Sequence, residues 1–135
     1  MENCKLDGLA HIGVFVADIE VSKKFYTEIL DFKVIEEVDL DDPNGVIKVA
    51  FAKNGGLVLE LVQFPKTAKK TDGPVDHIAF NVKNIEGVRS LLEKRGLVFE
   101  EKEITHAPNV FPGGSKWILF RGPDGEHLEL NERLS

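Results

Sequence analysis

Four residues in this chain pair by type and by spacing. His11 lies in the stretch L-A-H-I-G-V-F-V-A-D-I-E and His77 in V-D-H-I-A-F-N-V-K-N-I-E, 66 residues later. Glu60 lies in G-L-V-L-E-L and Glu129 in G-E-H-L-E-L, 69 residues later. The first offset also lays Ile12 on Ile78, Val16 on Val82 and Ile19 on Ile85; the second lays Leu59 on Leu128, Leu61 on Leu130 and Phe51 on Phe120. The chain is therefore read as a tandem repeat with one His and one Glu in each copy. Two imidazoles and two carboxylates, with water in the remaining positions, make a ligand set for nickel, cobalt, zinc, iron(II) or manganese. A buried carboxylate without a cation or a donor is costly, and two near each other repel. Recurrence of both residue types at matched places thus points to one divalent ion.

Strand parity should bring these groups to one face. Leu9–Val16 and Val75–Val82 read as strands. Ile12, Val14 and Val16, like Ile78, Phe80 and Val82, take the side under a helix. His11 and His77 take the other side, with the small residues Gly13 and Ala79 two positions on. On the last strand of each copy, Leu59 and Leu61, or Leu128 and Leu130, face the helix, and Glu60 and Glu129 face away. His127 has the parity of Glu129, with Val58 at its matched position, and is read as a wall or substrate-contact residue.

The elements between follow one order twice. Asp18 caps a helix with Val21, Phe25, Tyr26, Ile29 and Leu30 at helical spacing. Lys33–Leu40, Val46–Ala52 and Leu57–Val62 are strands, turned by D-D-P-N-G and K-N-G-G. In the second copy Asn84 caps a helix with Ile85, Val88, Leu91 and Leu92 on one face, and Gly96 stops it. Val98–Ile104 reads as a strand and His106–Ser115 as a mobile loop with a solvated His106. Trp117–Arg121 and Glu126–Asn131 form the last hairpin. The fold class is α+β: tandem β-α-β-β-β modules with curved mixed sheets around a metal site. The modules span 7–64 and 75–131, joined by a basic, solvated linker at 65–74 that carries Lys66, Lys69 and Lys70. Half-covered sheets of this size need a partner surface, so a homodimer is expected.

Composition narrows the classes. Of 135 residues, 42% are hydrophobic and 30% charged, as in an ordinary globular protein. A net charge of −6 argues against nucleic acid and against an anionic membrane surface. No apolar run approaches the roughly 18 residues of a membrane span. The start, M-E-N-C-K-L-D, is not expected to be a secretion signal. Cys4, the single cysteine, forms no internal disulfide and suits a reducing cytoplasm; it is read as a terminal residue without a catalytic role.

The motifs H-I-G-V-F-V-A-D-I-E-V-S-K-K-F-Y-T-E-I-L-D-F, L-V-L-E-L-V, D-H-I-A-F-N-V and F-R-G-P-D-G-E-H-L-E-L resemble the vicinal oxygen chelate superfamily over about residues 7–131. The resemblance is nearest to small bacterial glyoxalase I (lactoylglutathione lyase-like) proteins. It implies the glyoxalase/bleomycin-resistance/dioxygenase fold, with His11, Glu60, His77 and Glu129 on the metal positions, nickel or cobalt favoured, and often a dimer. It implies isomerisation of a 2-oxoaldehyde–thiol hemithioacetal by proton transfer through a metal-bound enediolate, with Glu60 or Glu129 as base. Small glyoxalase I proteins carry an arginine four residues after the first ligand histidine, where this chain has Phe15. Phe15, Lys116, Arg121 and His127 are the substrate-contact candidates, and weak use of glutathione is expected. Other members of the superfamily imply alternatives: a methylmalonyl-CoA epimerase-like enzyme, a fosfomycin-type resistance enzyme, a ring-cleaving dioxygenase, or a non-catalytic binder.

Overall fold

A computed structural model of the protein describes residues 9–66 and 72–134. Cys4, Lys69, Lys70, the first residues of the 7–64 module and the middle of the 65–74 linker lie outside the described residues. The element order is β1 (Ile12–Phe15), α1 (Ile19–Lys24), a π-helical turn (Phe25–Ile29), β2 (Lys33–Asp42), β3 (Gly45–Asn54) and β4 (Leu57–Gln63). Then come β5 (Ile78–Asn81), α2 (Ile85–Lys94), β6 (Thr105–Ala107), β7 (Ser115–Arg121) and β8 (His127–Arg133). This is β-α-β-β-β twice, in two four-stranded mixed sheets ordered β1-β4-β3-β2 and β5-β8-β7-β6. In each sheet the first and last strands pair in parallel and the rest antiparallel. Each sheet belongs to its own compact unit; Glu28–Leu30, at the end of the first helical stretch, group with the second unit.

The repeat extends to the junctions. Val16 N donates to Val62 O at 2.9 Å, and Val82 N to Asn131 O at 3.0 Å. Each helix then starts against the last strand of its own sheet. Ile19 N donates to Gln63 Oε1 at 2.7 Å, and Ile85 N to Glu132 Oε1 at 3.1 Å. These long-range acceptors satisfy amides that a helix start leaves free. Local caps do the same: the Asp18 carboxylate accepts from Glu20 N, and Asn84 Oδ1 accepts from Gly87 N.

The helix-facing sides of the sheets form the cores. Leu59, Leu61, Ala50 and Ala52 are fully buried in the first unit, and Leu128, Ile118 and Phe120 in the second. A leucine buried this way stabilises by about 2 kcal/mol relative to exposure. The helix faces differ in detail from the sequence expectation. Ile19, Ser22 and Tyr26 are buried, while Val21 is 51% exposed. The buried residues follow steps of three and four, and Val21, next to Ser22, points about 100° away. Likewise Ile85 and Leu92 are buried while Leu91 is exposed.

Three further expectations are corrected. Val98–Ile104 is not a strand: one isolated bridge joins Phe99 to Phe120, and Val98 is 83% exposed. Glu101 sits in this acidic stretch, and its Oε1 accepts from Leu119 N at 3.0 Å, so a side chain takes an amide that strand pairing would use. The edge strand is β6 instead, which overlaps the start of the stretch read as the loop His106–Ser115; His106 itself is exposed and pairs with Lys116. Finally, Phe51 does not match Phe120. Phe51 pairs with Glu60, whereas Leu119 pairs with Glu129. Four residues lie between the paired Lys53 and Val58, but five between Arg121 and His127. The second hairpin loop is one residue longer, so the offset of 69 does not carry across it.

Candidate functional site

Each unit builds the same small arrangement. Gly13 on β1 pairs with Glu60 on β4, and Ala79 on β5 pairs with Glu129 on β8. In each unit the histidine stands two residues before the small residue, immediately ahead of the first strand residue, Ile12 or Ile78. His11 Nε2 is 3.5 Å from Glu60 Oε1, and His77 Nε2 is 3.7 Å from Glu129 Oε1. A Cβ on Gly13 would lie 3.8 Å from Glu60 Oε1, so only a small residue leaves that carboxylate free to move. Two ligand atoms about 2.1 Å from one divalent ion stand about 3.0–3.4 Å apart. Each nitrogen–oxygen pair, taken within its own unit, would therefore suit a metal after a small closure.

The half-sites differ in what surrounds them. In the first, the His11 ring meets Phe51 edge-on at 5.5 Å, and Phe15, 60% exposed, meets Phe64 edge-on at 5.3 Å. Among the described residues, none donates a hydrogen bond to the Glu60 carboxylate, whose side chain is 28% exposed. In the second, Glu129 is buried, and Asn131 Nδ2 donates to its Oε2 at 3.0 Å. Ser115 Oγ in turn donates to Asn131 Oδ1 at 3.2 Å. Asp76, the residue before His77, accepts from His77 Nδ1 at 3.0 Å. Asn131 was legible in principle, two residues after Glu129 with its parity; Asp76 was legible as the neighbour of the histidine.

His127 stands beside the second half-site, its ring 6.1 Å from that of His77. Its Nδ1 is 3.3 Å from Asp76 Oδ2 and its Nε2 3.3 Å from Glu100 Oε2. The two cationic contact candidates are already paired. Arg121 donates to both oxygens of Asp72, at 2.7 and 3.1 Å, to Glu100 at 3.1 Å and to Gly125 O. The bonds to Asp72, and after them Glu100, push the guanidinium further up, and Arg121 holds the Asp72 carboxyl below its ordinary range. Lys116 Nζ donates to Glu86 at 2.9 Å; this bond raises the lysine and lowers the glutamate. Asp72, Asp76 and His127 also offer ligand atoms within 4.8 Å of one another. Arg121 already occupies Asp72, and a cation there would have to displace the guanidinium.

A family profile described as the Glyoxalase/Bleomycin resistance protein/Dioxygenase superfamily matches residues 8–130. The chain belongs to this superfamily. It is 34% identical over 126 residues to the uncharacterized protein YwbC of Bacillus subtilis, covering 91% of this chain and 95% of that one. It is 31% identical over 147 residues to the lactoylglutathione lyase of Schizosaccharomyces pombe, covering 90% of this chain and 46% of the lyase. The fosfomycin resistance protein FosX from Listeria monocytogenes, solved with Mn(II) and a sulfate ion, shares the fold: TM-score 0.71, 18% identity, 96% of this chain and 94% of that one. A protein solved with Mn(II) thus has this fold. Among the described residues, no helix is long and apolar enough to cross a membrane.

Proposed function

We propose that this protein is a divalent-metal-dependent isomerase of the glyoxalase I type, acting on the hemithioacetal of a 2-oxoaldehyde and a thiol. The observation that carries the reading is the duplicated pair: Nε2 against Oε1 at 3.5 Å in one unit and 3.7 Å in the other, at matched register. His11, Glu60, His77 and Glu129 would hold one ion, nickel or cobalt by resemblance to the bacterial enzymes. When bound, such an ion acts as a Lewis acid toward two adjacent substrate oxygens.

The proton is the chain's own work. Glu129 is buried and held by Asn131, which suits a fixed ligand. Glu60 is more exposed, lies beside Gly13 and has no donor holding it among the described residues. Glu60 is assigned as the base that takes the carbon-bound proton and returns it to the neighbouring carbon. Phe15 offers an aromatic surface where the resembling enzymes carry arginine, and Lys116 and Arg121 are neutralised by carboxylates. A thiol other than glutathione is therefore the expected co-substrate. By the same likeness the protein is proposed to act as a cytoplasmic homodimer.

The test is metal analysis of purified protein, then steady-state kinetics with methylglyoxal and a panel of thiols on nickel- or cobalt-loaded protein. Turnover with at least one thiol, weak with glutathione, supports the reading. A kcat/KM of roughly 10⁴ M⁻¹s⁻¹ or more with glutathione removes the claim about the thiol. No turnover with any thiol, while methylmalonyl-CoA exchanges its α-proton with solvent, replaces the isomerase by an epimerase.

A further inference from the structure

We infer that Asp76 is a positioning residue for His77: by accepting the Nδ1 proton, it fixes the tautomer whose Nε2 lone pair faces Glu129. The inference rests on the reading of His77 as a metal ligand. A neutral imidazole carries one proton, and the bond made by one nitrogen decides which nitrogen holds it. Asp76 Oδ2 lies 3.0 Å from His77 Nδ1, while Nε2 is turned toward Glu129. Metal-bound histidines commonly donate their other N–H to a carboxylate, which orients the ring and raises its basicity as a ligand.

Asp76 is itself held in a chain of partners within this unit. Its Oδ2 also faces His127 Nδ1 at 3.3 Å, a buried nitrogen with no aligned hydrogen-bond partner. His127 Nε2 faces Glu100, and Arg121 grips both Glu100 and Asp72. Arg121 and His127 are thereby explained as supports of the carboxylate behind His77. Among the described residues, the first unit has none of this. Ala10 precedes His11, Val58 occupies the place matched to His127, and the His11 ring packs on Phe51. One imidazole is set by a carboxylate and the other by an aromatic edge.

The experiment uses the full chain without metal, at a pH of about 8, where an ordinary imidazole is neutral. Long-range proton–nitrogen spectra should show His77 protonated at Nδ1 in the native protein. In Asp76→Ala that signature should shift toward Nε2 protonation, with His11 unchanged. Ala10→Asp should impose the Nδ1-protonated signature on His11. Titration with Co(II) should show Asp76→Ala retaining its stoichiometry with an affinity about 10–100-fold weaker. His77 protonated at Nε2 in the native protein, or a tautomer unchanged by Asp76→Ala, overturns the inference. An affinity for Co(II) unchanged in Asp76→Ala overturns it as well. If the native protein binds no divalent ion, the metal reading fails by itself, and the spectra still decide whether Asp76 sets the tautomer.

Discussion

Replacing the two glutamates one at a time should separate a fixed ligand from a mobile one. A glutamate side chain loses up to about 1.5–2 kcal/mol of rotamer freedom when it is pinned. Glu129 has lost most of that already, with its side chain 10% exposed and Oε2 held by Asn131 at 3.0 Å. Glu60, 28% exposed and with no donor on its carboxylate among the described residues, would lose it on binding. Glu129 should therefore contribute about 1.4 kcal/mol more to metal affinity, a factor of about ten in Kd. Calorimetric titration of Co(II) into metal-free Glu129→Gln and Glu60→Gln should show the first weaker than the second by that factor. Asn131→Ala, which frees Glu129, should alone weaken binding several-fold. On the chemical side, Glu60→Gln should slow solvent-deuterium incorporation by about 10²–10⁴, the usual contribution of a positioned base. The reasoning is refuted if Glu60→Gln costs as much affinity as Glu129→Gln. It is equally refuted if Glu129→Gln abolishes exchange while Glu60→Gln spares it.

Core truncation under the second half-site, Leu128→Ala, should destabilise by about 2–5 kcal/mol in urea unfolding, because the side chain is fully buried. Gly55→Ala should cost about 1 kcal/mol by the same assay; φ is +57° and nothing lies within 4 Å of the new Cβ, so only the backbone objects. The Asp72–Arg121 contact should follow pH with a defined sign. Arg121 lowers the folded-state pKa of Asp72, so the contact contributes fully above the ordinary carboxylate range. It should be lost as pH falls below about 4, seen as acid-induced shifts in the Arg121 side-chain resonances. Asp72→Asn should remove the part of that transition that Asp72 causes, while the Arg121–Glu100 contact remains.

Much of the architecture could be read from periodicity. Alternating apolar positions and duplicated His and Glu gave two β-α-β-β-β modules and the small residues Gly13 and Ala79 beside the ligand candidates. Parity also put Glu129 and His127 on one face. What escaped was set by tertiary contacts. Val98–Ile104 has strand-like ends, but its charges find partners elsewhere, and Glu101 fills a backbone amide of β7. The match of Phe51 to Phe120 failed because a one-residue change in a turn leaves each strand's pattern intact while shifting the register between strands. Lys116 and Arg121 looked available because sequence shows charge but not its partner. Asp76 was overlooked for the opposite reason: an acidic residue beside a strand start reads as solvated until the neighbouring imidazole is seen to bond to it.

The parallel pairing of β1 with β4, and of β5 with β8, also sets an order of events during folding. The hairpins β3–β4 and β7–β8 join neighbouring segments and close short loops. The histidine and glutamate of each half-site are 49 and 52 residues apart, and they meet only when the first strand docks against the last. Loop closure of that length is among the slower steps of a small module. During synthesis each histidine precedes its glutamate by about 50 residues, and the first pair is complete before the second has been made. Under the proposed metal reading, loading would be a late event that reports completed modules, and an ion supplied during refolding should accelerate no step before that docking.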